Sequence, residues 1–139
     1  MAHAARSAAY RELAGSLAPA IDLPQRLLAF AAQRYADTRN FTVLHMVTGM
    51  RALRVLLPWV RDTDAALREV VPAFTAAYLS AGIRPTALPQ VPVTDWPAIV
   101  EQAVASDDDH VIKLVHACHS AAQQKLPGPF LAAATRALA

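Results

Sequence analysis

Apolar residues recur at helical spacing along almost the whole chain, and proline or helix-capping residues divide the pattern into segments. The two-residue alternation of a half-buried strand is almost absent. The pattern predicts seven helices, over residues 4–17, 23–37, 41–57, 63–81, 95–105, 107–124 and 129–138. We therefore expect residues 1–139 to form a single all-α domain, a bundle of about six or seven helices.

Capping residues and prolines mark the helix boundaries. Asn40 precedes the third segment, where its side-chain oxygen can accept from the first free backbone N–H groups of a helix. Ser106 followed by Asp109 resembles a capping box at the start of the sixth helix. Pro72 falls inside the fourth helix and is expected to kink it. The segment 82–95 contains three prolines, which predicts a stiff extended connector.

The third helical segment, FTVLHMVTGMRALRVLL, is apolar or small nearly all round. Only Arg51 and Arg54 mark a polar side when successive residues are placed about 100° apart. Such a helix is typical of the centre of a bundle, so His45 is expected to be buried. Small and apolar residues share its side of the helix and are expected to leave space beside the imidazole: Phe41, Thr48, Gly49, Ala52 and Leu56.

The composition narrows the classes of function. Hydrophobic residues make up 55% of the chain. Excess apolar surface on such a chain indicates a second copy, another chain or a missing part of the same fold. The net charge of +2 and the scattered arginines give no basic stripe for nucleic acid. No uncharged apolar run reaches the roughly 18 residues that a membrane helix needs.

The N-terminal sequence and the cysteine content bear on the cellular compartment in which the protein is expected. Arg11 and Glu12 interrupt the stretch in which a signal peptide would be apolar. Cys118 is the single cysteine, which excludes an internal disulfide. Both features favour a reducing, cytoplasmic location. Ser106, Ser120 and Cys118 have no glycine-bounded elbow and no recognisable paired base, so the sequence does not indicate a hydrolase.

The stretch SDDDHVIKLVHACHS, residues 106–120, carries the candidate chemistry. His110, Lys113 and His116 are spaced i, i+3, i+6 and span an arc of roughly 120° on the sixth helix. They lie at or beyond the margin of its apolar stripe, as does His119. A solvated polar face explains all four without a metal, and a lone buried His45 is explained by a hydrogen bond in the core.

The alternative interpretation uses the chemistry of lysine. Burial disfavours the charged form, and a neutral amine is a nucleophile. Such an amine can add carbon dioxide to become a carbamate, which offers oxygen ligands as a carboxylate does. Beside histidines, it gives nitrogen and oxygen donors of the kind that suit ferrous iron and oxygen chemistry.

Two stretches, FTVLHMVTGMRALRVLLPWV and DWPAIVEQAVASDDDHVIKLVHAC, resemble the carboxyl-terminal half of the questin oxidase-like family, over roughly residues 20–139. The resemblance implies a mostly helical fold and the oxidative ring opening of an anthraquinone in fungal polyketide pathways, with which NADPH is associated. It also implies a non-haem iron site of several histidines and a carboxylated lysine. By position, His45 matches the histidine of LHMVTG, and His110 and Lys113 match the HVIK pair, with Lys113 as the carbamate.

The chain departs from the family pattern in two ways. A second histidine is expected about two turns after His45, where this chain has Met50 and Arg51, and an arginine repels a cation. The resemblance also implies much longer family members, whose amino-terminal histidines have no counterpart here. His116 is a candidate substitute for the missing histidine.

Three functions follow from these observations. The first is a metal-dependent oxygenase for aromatic or polyketide-like substrates, whose iron ligands His45, His110, Lys113 and His116 are completed by another chain or by a homodimer. The second is a non-catalytic, truncated relative that acts as a helical partner or oligomeric scaffold subunit. The third is a small-molecule binding module without redox chemistry.

Overall fold

The computed structural model of the protein describes residues 20–83 and 94–139, together with residues 8, 10, 12, 88, 91 and 92. Within this part of the chain there are six α-helices and no β-strand. They are α1 (Leu23–Thr38), α2 (Phe41–Leu56), α3 (Thr63–Ser80), α4 (Trp96–Val104), α5 (Asp109–Gln123) and α6 (Phe130–Leu138). A 3₁₀ turn, Leu57–Trp59, follows α2. The prediction of an all-α bundle is confirmed.

The predicted boundaries agree with these six helices to within two residues. The predicted first helix, 4–17, lies largely outside the described residues, and so does half of the predicted connector, 82–95. Pro72 lies inside α3, which continues from Thr63 to Ser80, and its expected kink stays a prediction. None of the described helices is both long and apolar enough to cross a membrane.

Asn40 begins α2 as predicted and also links it to α3. Its side-chain oxygen accepts from the backbone N–H of Val43 at 3.1 Å, which satisfies one of the free donors of the first turn. Its amide nitrogen donates to the carbonyl of Ala81, just beyond α3, at 3.1 Å. One side chain therefore fixes the start of α2 against the end of α3.

The start of α5 differs from the prediction. Asp108, not Ser106, is the N-cap residue, and its carboxylate accepts from the backbone N–H of His110 at 2.8 Å. The hydroxyl oxygen of Ser106 is already used, because it accepts from the backbone N–H of Asp108 at 3.1 Å. The predicted capping box at Ser106 is therefore wrong, and α5 begins two residues later than expected, which sets the position of His110.

The core lies where α1, α2, α5 and α6 meet. α4 packs on α5 and α6, whereas α3 packs on α2 and touches α1 through the ring of Phe30. Burial of Cys118 raises the pKa of its thiol to about 12, so it has no nucleophilic thiolate at neutral pH. The fully enclosed side chains include Leu28, Val43, Val47, Leu114, Cys118 and Phe130.

Candidate functional site

His45 lies on the exposed side of α2. Val43 and Val47, on the opposite side of the helix, are completely buried. The side that His45 shares with Phe41, Gly49, Ala52 and Leu56 has no described helix over it, and all five residues are exposed. The prediction that His45 is buried inside the bundle is therefore wrong. The apolar character of that side marks a surface, which the packing of the other described helices leaves exposed.

The fold brings His45 and His110 together from two helices. Their ring centroids are 5.4 Å apart. The ring of Phe41 lies against both, at 4.6 Å from the His45 ring and 5.0 Å from the His110 ring. His110 occupies the first turn of α5, and its side chain is 37% exposed. We refer to Phe41, His45 and His110 as the imidazole face.

The polar contacts of His45 and His110 indicate which nitrogen of each ring carries a proton. Nδ1 of His45 lies 3.0 Å from the carbonyl oxygen of Phe41. A carbonyl only accepts, so this nitrogen carries a proton, and in the neutral ring Nε2 then keeps its lone pair. Nδ1 of His110 lies 2.9 Å from an oxygen of Asp109 and 3.3 Å from one of Asp108, which are ion-pair distances. Ionised carboxylates likewise only accept, so these contacts favour a proton on Nδ1 of His110, and in the neutral ring Nε2 then has the lone pair.

This arrangement matches what metal-binding histidines need. A ligating histidine almost always donates its second ring nitrogen to a carbonyl or carboxylate, which fixes the tautomer and the orientation of the ring. A nitrogen about 2.1 Å from a cation places its ring centroid about 3.2 Å from that cation, so two rings at a tetrahedral angle have centroids about 5.2 Å apart. The observed 5.4 Å separation of His45 and His110 is close to this value.

Lys113 is exposed and forms an ion pair with Asp109, which lies one turn earlier on α5. The side chains of both residues are more than 60% exposed. The bond to Lys113 lowers the pKa of Asp109, with a further contribution from the nearby His110. The expectation of a lysine enclosed with the histidines is wrong, because the side chain of Lys113 is 62% exposed.

The two other histidines of α5, His116 and His119, lie in different surroundings. His116 is exposed, about 120° round the helix from His110. His119 packs its ring against Trp96 on α4, with centroids 5.0 Å apart. The assignment of His45, His110, Lys113 and His116 as metal ligands stays a prediction. Of these four residues, His45 and His110 are in contact.

Two acidic residues that the sequence reasoning did not select lie beside His110. Asp108 and Asp109 each offer a carboxylate oxygen, and these atoms and a ring nitrogen of His110 lie within 4.8 Å of one another. The run DDDH was visible in the sequence, where only Asp109 was given a role, as part of the capping box. In the structure Asp108 caps α5 and Asp109 pairs with Lys113.

An apolar groove adjoins the imidazole face between α2 and α3. Its volume is about 280 Å³, and His45 lies at its edge. Its walls are almost entirely apolar and include Met46, Met50, Leu53, Phe74 and Ala77. A smaller pocket of about 170 Å³ lies on the other side of Phe41 and is lined by Tyr35, Arg39 and His110. The imidazole face thus lies between two depressions in the surface.

Arg51, which replaces the expected second histidine, does not share the surface of His45. Six residues separate the two along α2, which is about 9 Å of rise and roughly 120° of rotation. Arg51 is half-buried, and its Nε atom is enclosed without a hydrogen-bond partner among the described residues. The predicted repulsion between Arg51 and a cation at His45 is therefore reduced by distance and direction.

Comparison with protein families matches residues 10–118 to the family described as questin oxidase-like. Comparison with curated proteins and with solved structures gave no match. The match includes His45, His110 and Lys113 and ends at Cys118, so α6 lies outside it. The narrower expectation, a resemblance to the carboxyl-terminal half of the family alone, is not borne out. The match covers most of the chain, and the chain belongs to the questin oxidase-like family.

Proposed function

We propose that this chain is one component of a metal-dependent oxygenase, in which His45 and His110 bind a ferrous ion through their Nε2 atoms. The observation that carries the proposal is the pairing of these rings from two helices, with Nδ1 of His45 at the carbonyl of Phe41 and Nδ1 of His110 beside the carboxylate of Asp109. A purely structural role for His45 and His110 would not require both rings to use Nδ1 for these contacts and to keep Nε2 for another ligand.

The donor set fits iron in part. Two imidazoles and one carboxylate with open positions form the ligand set of many non-haem iron oxygenases. His45 and His110 supply the imidazoles, whereas Asp108 and Asp109 lie on the Nδ1 side of the His110 ring, so the carboxylate is expected from the chain that covers this face. Lys113 does not fit as a carbamate while it pairs with Asp109. Bound ferrous iron would supply one-electron chemistry with dioxygen, and the chain would hold and orient its ligands.

The position of the imidazole face implies that another surface covers it. Oxygenase chemistry needs a site from which bulk water is excluded. Phe41, at the centre of this face, is 62% exposed, and His45 is exposed beside it. We therefore propose that a second copy or another chain covers Phe41 and supplies the remaining ligands, with His116 and Lys113 as further candidates once an interface forms.

The groove between α2 and α3 is the proposed place for a substrate. Its apolar walls suit a small aromatic or polyketide-like compound, and its volume of about 280 Å³ is near the lower end for small-molecule sites. His45 at its edge would hold the metal next to the bound compound. The association with NADPH and the cytoplasmic location stay predictions.

Metal binding by individual variants tests this proposal. The full chain is equilibrated with ferrous iron without oxygen, and bound iron is measured in the wild type and in His45→Ala, His110→Ala, Lys113→Met and His116→Ala. We expect iron bound to the wild type to be lost in His45→Ala and in His110→Ala. Lys113→Met reports whether a carbamate contributes, since methionine keeps the length of the side chain without its nitrogen.

The contrary result is equally clear. If the wild type binds no iron at any protein concentration, or if His45→Ala and His110→Ala retain it fully, the metal site is not where we place it. His119→Ala is the matched control, because His119 lies on the same helix as His110 but packs against Trp96.

A second function is favoured by the exposed ion pair of Lys113. A family member that has lost the carbamate ligand would serve as a helical partner or an oligomeric scaffold subunit. This alternative predicts a stable oligomer that contains no iron. Mass measurement by light scattering, combined with the metal content of the same sample, separates it from the oxygenase component.

A further inference from the structure

A second pocket lies at the other end of α2, beside the 3₁₀ turn. Its volume is about 300 Å³. Its apolar walls are formed by Ile21 and Pro24 at the start of α1 and by Leu57 and Pro58 in the turn. Arg54 and Thr63 contribute polar groups. Arg54 is nine residues beyond His45, about 13 Å further along α2, so this pocket is separate from the imidazole face.

Arg54 is held in this pocket by a chain of hydrogen bonds. One of its terminal nitrogens donates to the side-chain oxygen of Gln124 at 2.7 Å. The amide nitrogen of Gln124 donates in turn to the hydroxyl oxygen of Ser120, one turn earlier, at 3.3 Å. The guanidinium group is therefore fixed in direction by the end of α5, and its other N–H groups have no hydrogen-bond partner among the described residues.

No carboxylate pairs with Arg54 in the described part of the chain. Three acidic residues adjoin the pocket walls in sequence. Asp22 pairs with Arg26, Asp62 caps α3 through the backbone N–H of Ala65, and Asp64 forms no ion pair with Arg54. Burial lowers the pKa of Arg54, which reports the loss of water around a charged group. Its place in the last turn of α2 suits the helix dipole, but that interaction leaves the side-chain donors unused.

We propose that this pocket binds a small organic anion, a carboxylate carried on an apolar body. The guanidinium fork of Arg54 matches the two oxygens of a carboxylate. Ile21, Leu57 and Pro58 then contact the apolar body, which buries surface that is otherwise wet. The volume of about 300 Å³ limits the ligand to a single aromatic ring or a short aliphatic chain.

Benzoate is the first probe, and benzamide is its uncharged counterpart of nearly the same shape. Both are titrated into the full chain by calorimetry, and ¹⁵N–¹H spectra locate the binding. We expect benzoate to bind at least about tenfold more tightly than benzamide, since charge-assisted hydrogen bonds are roughly twice as strong as neutral ones. The largest spectral changes are expected at Arg54 and Thr63.

Two pairs of variants identify the groups responsible. Arg54→Met removes the fork and is expected to weaken benzoate binding about tenfold or more. Arg68→Met is its control, because Arg68 is an exposed arginine of α3 outside the pocket. Ile21→Asp places a negative charge at the pocket wall and is expected to weaken benzoate binding, whereas Ile21→Asn is not. Ile21 is 77% exposed, so both of its variants should fold.

The proposal is overturned by any of three results. These are the absence of benzoate binding up to about 10 mM, equal affinity for benzamide and benzoate, or an unchanged affinity in Arg54→Met. If Arg54→Met does not fold, the Ile21 pair decides the question: equal benzoate affinities in Ile21→Asp and Ile21→Asn also overturn it.

Discussion

Val43 and Val47 lie on the side of α2 that is fully enclosed, whereas Phe41 and His45 lie on the opposite side and are exposed. The enclosed side packs on α1 and α5 and contributes to the stability of the fold. The exposed side has apolar character too, but no described helix covers it. It carries His45, whose ring lies against that of His110 from α5.

The contrast shows that apolar composition does not by itself indicate a structural role. One side of α2 stabilises this chain, and the other is available to a metal, a substrate or another chain. The two sides should therefore respond differently to substitution. Changes on the enclosed side should affect stability, and changes on the imidazole face should affect binding.

Two phenylalanines give the largest expected difference. Phe130 is 2% exposed and Phe41 is 62% exposed. We expect Phe130→Ala to lower the free energy of unfolding by about 3–5 kcal/mol, through lost burial and the cavity left behind. Phe41→Ala should lower it by no more than about 1 kcal/mol, since only its ring contacts with His45 and His110 are lost.

Urea denaturation of both variants at one temperature makes this measurement, provided that the slope against denaturant stays constant. Phe130→Leu, which removes less volume, is the milder variant if Phe130→Ala does not fold. A loss for Phe41→Ala as large as that for Phe130→Ala would show that the imidazole face is part of the core.

Substitution of Asn40, the N-cap residue of α2, is expected to have a smaller effect on stability. Asn40→Ala removes the acceptor for the N–H of Val43 and the donor to Ala81. We expect the free energy of unfolding to fall by about 1–2 kcal/mol. Asn40→Asp keeps the acceptor alone and should recover part of that loss. If thermal unfolding shows equal losses for Ala and Asp, the cap is not the stabilising contact.

The ion pair of Lys113 gives the smallest effect on stability. Its bond to Asp109 lowers the pKa of that carboxyl below the ordinary value of 3.8. A depressed pKa in the folded chain means that the contribution is present above pH 3.8 and is lost as the pH falls through the folded value. Lys113→Met should therefore leave the unfolding midpoint at neutral pH nearly unchanged, because the pair is exposed.

The same substitution should move the titration of Asp109. We expect the pKa of its carboxyl to rise toward 3.8 in Lys113→Met, measured by the ¹³C shift of the carboxyl carbon during an acid titration. Lys125→Met is a control for the removal of one exposed positive charge elsewhere. A titration of Asp109 that is the same in the wild type and in Lys113→Met would contradict the ion pair.

The sequence was a good guide to the helices, because their boundaries depend on nearby residues. The cap of Asn40, the prolines and the apolar spacing act over a few positions, so six helices were predicted to within two residues. The start of α5 was misplaced at Ser106, because the hydroxyl of that residue bonds to Asp108 before the helix begins. Residues 106–109 all have side-chain oxygens that can accept hydrogen bonds, so the sequence allows more than one N-cap residue.

The candidate site was predicted less well, since burial depends on which helices pack where. The pattern of α2 identified His45 as part of an apolar helix, but it contained no information about what covers each side. The contact between His45 and His110 depends on how α2 and α5 pack, for which the family resemblance was the only guide. The pairing of Asp109 with Lys113, at spacing i, i+4, was open to prediction from the sequence and was missed.

The tautomers of His45 and His110 test the central claim most directly. Long-range ¹H–¹⁵N correlation spectra, recorded near pH 8.5 where a free imidazole is neutral, show which ring nitrogen carries the proton. The account predicts protonated Nδ1 and unprotonated Nε2 in both rings, with His119 measured alongside as an internal comparison. A proton on Nε2 of either His45 or His110 would contradict it, because that ring would then not present an Nε2 lone pair held in place by a bond at Nδ1.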